Sequence, residues 1–332
     1  MCFEISIYKN AVLMYSKGVI DAKKQEEGSF LVFHQIFVLY IFIFLGWMFG
    51  KIKPEMAQGS KIISFLLVNL LLPCKVFSTF SSNFTPSFLL ENGATVLISI
   101  GILSGLVLLA IPLARLLGKE DYQRRVYRYS FAITNYAYLG YVLIENVLGK
   151  SALACMITFC IPFIFYTYTF GYAMLTGKGQ LLKKLINPMT AAILLGCASG
   201  LTGIGLPGVL QTVASSASSC VGVMSMLLTG LVLSSFAPKE LLPDRGTLIF
   251  VALRLAALPA LMLCFCRLLA MLFPLPAAVY PFAVIMACMP CGLNTVVFPK
   301  LVGEDCRPGA RMVLYSHLVS MATIPLWMSV LL

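Results

Sequence analysis

The chain has 332 residues, of which 60% are hydrophobic and only 11% are charged, and its mean hydropathy is +0.93. About a quarter of the residues in a water-soluble protein are charged, so this composition excludes a soluble domain and intrinsic disorder. The net charge of +11 would suit nucleic-acid binding, but the charges lie at the ends of long apolar segments, where they indicate membrane topology. The eleven cysteines lack the paired spacing of a disulfide scaffold. The sequence therefore predicts an integral membrane protein.

The chain opens with a polar tail, residues 1–30, that lacks a signal-peptide pattern. Ten apolar segments follow, most of them near or above the about twenty residues that a helix needs to cross the hydrocarbon. They are apolar on all sides and lack the alternation of barrel strands, so we predict helices. The predicted spans are 31–50, 62–82, 93–117, 127–148, 152–175, 188–205, 209–236, 247–272, 280–302 and 309–331.

Positively charged residues alternate from one loop to the next. Loops after odd-numbered spans hold sixteen Lys and Arg residues, whereas loops after even-numbered spans hold only Lys150. Because positive residues are retained in the cytoplasm, we predict a multi-pass protein of the cell membrane with both termini outside the cytoplasm. The sixteen residues are Lys51, Lys53, Lys61, Arg115, Lys119, Arg124, Arg125, Arg128, Lys178, Lys183, Lys184, Lys239, Arg245, Lys300, Arg307 and Arg311.

A polar linker at residues 177–187 divides the ten spans into two sets of five. The predicted domains are residues 31–176 and 188–332, and because five is odd, the two halves insert in opposite orientations. Leu70–Phe80 weakly matches Met226–Phe236, which places similar residues in the second span of each half. The predicted fold is an all-α polytopic membrane protein built from two inverted five-helix repeats.

The fourth and ninth spans are polar at mid-depth. Phe131–Gly140 reads FAITNYAYLG, and Met289–Pro299 reads MPCGLNTVVFP. Glycine and proline beside these polar residues favour two discontinuous helices, whose freed N-termini would suit a small carboxylate where they cross. The alternative is that the polar residues serve helix packing. The candidate substrate-binding residues in these stretches are Thr134, Asn135, Gly140, Pro290, Asn294 and Thr295.

At this point the sequence resembles the auxin efflux carrier family of membrane transport proteins, over roughly residues 31–332. The resemblance implies a scaffold domain and a transport domain, an elevator-like motion that carries an organic anion, and a crossing near Asn135 and Asn294-Thr295. The residues that carry it are Asn135, Leu139-Gly140, Gly149, Leu71–Pro73, Asn187-Pro188, Met289-Pro290, Asn294, Gly303 and Thr323–Pro325.

The sequence also departs from the family pattern. Val142 stands where a proline often follows the Leu-Gly pair, and Thr134 and Thr295 correspond to the crossover prolines of the plant hormone carriers. The long central loop of those carriers is missing. These departures favour a bacterial-type carrier of mono- or dicarboxylates, similar to malate or malonate permeases.

Four of the ionisable residues within the predicted spans are given individual interpretations. Lys75 is a further candidate for substrate binding, with snorkelling as its alternative, and no acidic partner for it is evident from the sequence. Glu145 and His317 are candidates for proton coupling, with helix capping and packing as their respective alternatives. Arg254 is expected to snorkel to the cytoplasm.

We expect a transporter and not an enzyme, with no cofactor and no metal site, because nucleotide-binding and nucleophile motifs are lacking and the cysteine pairs have no histidine or carboxylate beside them. A sodium-coupled carrier of the bile-acid symporter type, a sensor with a transporter fold and a membrane-embedded enzyme are the alternatives. The predicted partners are a small organic anion, the lipid bilayer, and a proton or sodium ion for coupling. A second copy of the chain is a further candidate partner, and nucleic acid is not.

Overall fold

The structure, a computed structural model, describes residues 22–177, 187–272 and 279–331. These residues form helices and their connections, with a single isolated β-bridge and no strand within the described ranges. In chain order the principal helices are α1 (Ala22–Ile52), α2 (Pro54–Asn83), α3 (Pro86–Leu117), α4 (Asp121–Ala132), α5 (Tyr136–Thr176), α6 (Pro188–Thr202), α7 (Gly208–Ser234), α8 (Arg245–Leu272), α9 (Val279–Cys288), α10 (Asn294–Val302) and α11 (Arg307–Leu331).

Seven helices in the described ranges are long and apolar enough to cross a membrane, namely α1, α2, α3, α5, α7, α8 and α11. The apolar helices α6 and α9 are shorter, at 15 and 10 residues. The predicted fourth span is shared between α4 and α5, and the predicted ninth between α9 and α10. The all-helical membrane architecture is therefore confirmed, while the count of ten spans and the inverted repeat stay predictions.

The first helix begins earlier than the first predicted span. Helix α1 starts at Ala22, inside the predicted polar tail, because residues 22–27 are Ala, Lys, Gln and Glu, all of which favour helix. Residues 1–21 of that tail lie outside the described residues, as do Lys178, Lys183 and Lys184 of the predicted linker.

Helix ends follow the local sequence. Thr85, Asn187 and Asp244 each precede a helix and accept a hydrogen bond from the backbone N–H three residues later, which satisfies a donor of the first turn. Helix α6 ends at Gly203, whose φ of 71° is a conformation that glycine adopts without strain.

Helix α5 contains a break at Gly149. The φ and ψ of this residue are 85° and 178°, a conformation almost restricted to glycine. The break falls in the predicted loop between the fourth and fifth spans. The chain changes direction at Gly149, and the residues on both sides of it are helical.

Glycines bring two pairs of helices close together. A Cβ on Gly230 of α7 would lie 2.5 Å from the backbone nitrogen of Trp47 in α1, and a Cβ on Gly200 of α6 would lie 2.6 Å from the carbonyl oxygen of Phe84, at the end of α2. Small residues allow this close approach, which is typical of helix packing within membranes.

The outer surface is apolar. Leu90, Leu97, Leu108 and Leu116 on α3 are all strongly exposed, as expected for side chains that face lipid. Other polar side chains are buried between the helices, and they include Thr134 and Asn135 where α4 meets α5 and Thr295 at the start of α10.

Candidate functional site

Two interrupted helices pair at the centre of the site. Between α4 and α5 the backbone becomes extended at Ile133, with φ −115° and ψ 130°. Thr134 then forms an antiparallel bridge with Cys291, between α9 and α10, and the Asn135 N–H donates to the Pro290 carbonyl at 2.8 Å. The interruptions predicted in the fourth and ninth spans are therefore present, and they contact each other. We call this pairing of residues 133–135 with residues 289–293 the crossing.

Asn135 links the crossing to α11. Its side-chain nitrogen lies 3.0 Å from His317 Nε2, and His317 Nδ1 lies 2.8 Å from the Val313 carbonyl oxygen. Because a carbonyl only accepts hydrogen bonds, Nδ1 donates to Val313, and the Nε2 of the neutral ring accepts from Asn135. His317 is buried and thus orients Asn135, which is a packing contact of the kind predicted as the alternative to proton coupling.

Two polar atoms of the crossing remain unsatisfied. Within the described residues, Thr134 Oγ1 and Asn135 Oδ1 are buried and have no hydrogen-bond partner. Buried polar atoms usually have hydrogen-bond partners, and each buried atom without one destabilises the protein by about 1–3 kcal/mol. These atoms are therefore candidates to bind a ligand or water.

A small pocket of about 20 Å³ lies at the crossing, enough for one water-sized group. It is lined by both interruptions, by the first residue of α10 and by four residues of α5, three of which are tyrosines. The lining residues are Ile133, Thr134, Asn135, Tyr136, Ala137, Tyr138, Tyr168, Gly292, Leu293 and Asn294.

The other predicted residues have different roles at the crossing. Gly140 is buried beside Met289, where a Cβ would lie 3.6 Å from the methionine Cγ. Thr295 Oγ1 donates to the Gly292 carbonyl at 2.7 Å and does not line the pocket, so it supports the interruption from within. Asn294 lines the pocket at the first residue of α10, and its side chain lies next to Tyr129.

Lys75 lies away from the crossing pocket, in a larger cavity. An acidic partner that was not evident from the sequence is present, because Lys75 Nζ donates to Glu145 Oε2. Lys75 is buried, and the Glu145 side chain is 24% exposed. The sequence did not reveal this ion pair because its members lie 70 residues apart, on α2 and α5.

The ion pair lines a cavity of about 420 Å³, which we call the polar cavity. It lies between α1, α2, α5 and α7, and it extends from buried Lys75 to exposed Ser82 and Lys150. Its lining includes the hydroxyl or amide groups of Gln35, Ser78, Thr79, Ser82, Asn146, Gln211, Ser215, Ser218 and Ser219. Polar lining on this scale is costly inside a membrane protein unless water or a polar ligand enters.

Comparison with known families agrees with this architecture. The family model described as membrane transport protein matches the chain in two regions, residues 31–184 and 178–328. The chain belongs to this family. It is the family of the auxin efflux carriers, so the resemblance seen in the sequence motifs is confirmed, and the chain is a multi-pass membrane transport protein. A comparison with curated proteins gives no significant match.

In this membrane transport protein, sequence reasoning missed one pocket residue, Tyr168, and gave one residue, Arg254, the wrong environment. Tyr168 lines the crossing pocket from a five-residue π-helix, Thr167–Gly171, and the polar run TYT within the apolar fifth span is a signal that could have found it. Arg254 was expected to snorkel, but it is fully buried. That expectation is wrong because a second π-helix, Leu253–Ala257, turns Arg254 into the protein.

Proposed function

We propose that this protein is a secondary transporter that moves a small organic anion, such as a mono- or dicarboxylate, across the cell membrane by alternating access. The observation that carries the proposal is the crossing, where Thr134 and Asn135 line a pocket between two interrupted helices and each has a buried side-chain atom with no hydrogen-bond partner among the described residues. Interrupted helices are tolerated in a membrane where they line a cavity for a substrate.

The charge of the substrate follows from the helix ends. Helix α5 begins at Tyr136 and α10 begins at Asn294, and both residues line the crossing pocket. The N-terminus of a helix presents N–H groups and a partial positive charge. Two such ends at one pocket favour a carboxylate, and the side chains of Thr134, Asn135 and Asn294 supply hydrogen bonds to it.

The polar cavity is the proposed access route. Its lining residues Val142 and Glu145 lie on α5, seven and ten residues after Asn135, about 10–15 Å along a helix. In the predicted topology its exposed end, at Ser82 and Lys150, faces outward. An elevator-like motion would move the crossing relative to α1, α2 and α7, and it would separate Lys75 from Glu145, where proton coupling is proposed.

Transport by purified protein in liposomes tests the proposal. We expect uptake of at least one of radiolabelled malate, malonate, lactate and indole acetate, and we expect it to respond to an imposed proton or sodium gradient. Uptake with only the sodium gradient would assign sodium as the coupling ion. Uptake of none of these anions under any gradient would contradict the proposed function.

Asn135→Ala tests the crossing itself. It removes the bond to His317 and a pocket-lining amide, so we expect uptake to fall to background while the protein still inserts and folds, at a cost of about 1–3 kcal/mol. Asn69→Ala is the matched control, because the hydrogen bond that the structure gives the Asn69 amide among the described residues goes to the Phe65 carbonyl of its own helix. Normal uptake by Asn135→Ala would show that the binding site lies elsewhere.

A further inference from the structure

Arg254 is a buried cation in the middle of α8. Its relative exposure is 0%, and it is among the largest side chains that are fully enclosed. The π-helix Leu253–Ala257 packs against both α9 and α11. Arg254 is therefore surrounded by protein, whereas the charged end of a snorkelling arginine would reach water.

This guanidinium lacks a counter-charge among the described residues. Its three nitrogens are buried and have no hydrogen-bond partner there. Helices α8, α9 and α11 contain neither Asp nor Glu. The nearest acid before it in the sequence, Asp244, lies ten residues away, about 15 Å along a helix, and bonds to Arg311 and Thr247.

Arg254 lies on the side of α8 that faces the crossing. The π-helix Leu253–Ala257 packs against α9, which ends at Cys288, next to the Met289-Pro290 interruption, and Arg254 lies near both Cys288 and Cys291. Cys291 is also the bridge partner of Thr134, which lines the crossing pocket. Lys75, in contrast, is already neutralised by Glu145.

We infer that Arg254 is the charge that makes the crossing selective for anions, with the carboxylate of the substrate as its missing counter-ion. This inference rests on the proposed function and names the residue that sets its specificity. An arginine stays charged even when it is buried, and an unpaired buried charge destabilises a protein. A carboxylate at the crossing would offset that effect, whereas a neutral molecule of the same shape would not.

The test compares Arg254→Gln and Arg254→Lys with wild type, with malonate as the anion and malonamide as its neutral analogue. For Arg254→Gln we expect a higher melting temperature without ligand, loss of the stabilisation by malonate, and an apparent KM for malonate raised about ten-fold or more. Arg254→Lys keeps the charge and should fall between the two. Malonamide should stabilise none of the three proteins.

Arg267→Gln is the matched control, since Arg267 lies on the same helix and is exposed. It should leave malonate stabilisation and uptake unchanged. A lower melting temperature for Arg254→Gln, with malonate stabilisation and KM as in wild type, would show that Arg254 is structural and would overturn the inference while leaving the proposed transport intact. Wild-type protein that neither binds nor transports any carboxylate would overturn both.

Discussion

Lys75 shows how the meaning of a charged residue depends on its neighbours. As an isolated lysine in an apolar span it would be a strong anion-binding group, but it already forms an ion pair with Glu145. The pair is exposed to the polar cavity at its carboxylate end, so a substrate carboxylate entering that cavity would compete with Glu145 for Lys75. Lys75 is thus an embedded cation that a substrate would meet in the polar cavity, whereas Arg254 is buried and does not line that cavity.

Lys75→Gln is expected to raise the apparent KM for the substrate several-fold and to lower stability by about 1–3 kcal/mol, because it leaves Glu145 unpaired. The double variant Lys75→Gln/Glu145→Gln should recover the stability but not the affinity, and Lys75→Arg should have an intermediate KM. Uptake kinetics and thermal unfolding measure the two effects separately. An unchanged KM in the double variant would mean that the pair only joins α2 to α5.

His317 illustrates what the sequence could and could not predict at the residue scale. A histidine in a membrane span is recognisable in the sequence, and so is the polar stretch around Asn135. Their hydrogen bond joins residues 182 positions apart, and such a pairing depends on how α11 packs against the crossing. The same holds for the pairing of Lys75 with Glu145 and for the burial of Arg254.

At the scale of the helix, interruptions were predictable and their partners were not. Glycine and proline beside asparagine and threonine correctly predicted breaks within 131–140 and 289–299. The four π-helices at Leu67–Leu71, Tyr136–Gly140, Thr167–Gly171 and Leu253–Ala257 were not predicted, because their sequences LVNLL, YAYLG, TYTFG and LRLAA share no common pattern. Two of these π-helices nevertheless contain residues that matter for the site, Tyr168 in one and Arg254 in the other.

Gly230 is predicted to be essential for the packing of α7 on α1. A Cβ at this position meets the backbone near Trp47, which cannot move without shifting the helix, so Gly230→Ala should destabilise the protein by about 1–3 kcal/mol. Gly105→Ala on α3 is the control, since no atom outside its own helix lies within 4 Å of the added Cβ. It should be neutral or slightly stabilising. Equal melting temperatures for the two variants would contradict the close packing of α1 and α7.

At the scale of the whole molecule, the inverted repeat stays a prediction, and it specifies which pairs of helices should be equivalent. The repeat would relate span one to span six and span two to span seven, so the pair α1–α7 would exchange with the pair α2–α6. Both pairs are closely packed, and each has glycines against the partner backbone, Gly230 in one and Gly200 in the other. The crossing between the fourth and ninth segments would map onto itself.

Hydropathy and charge placement predicted a helical membrane protein because span length and the retention of positive loops depend on the bilayer and not on tertiary contacts. The interrupted fourth segment and the short sixth and ninth segments do not meet the length that defines a full span. Their crossing of the bilayer depends on neighbouring helices, so orientation has to be measured.

Single-cysteine labelling tests the orientation predicted from the sixteen loop cations. In a background without the native cysteines, a membrane-impermeant maleimide applied to intact cells should label cysteines at Thr85 and Leu332, and should reach those at Lys119 and Lys184 only after permeabilisation. Thr85 and Lys119 flank α3, which at 32 residues is about 48 Å long and exceeds the bilayer thickness. Leu332 and Lys184 lie outside the described residues, so labelling also locates them. Because each half contains five spans, equivalent sites in the two halves should lie on opposite sides of the membrane. A reversed or one-sided labelling pattern would contradict the inverted repeat.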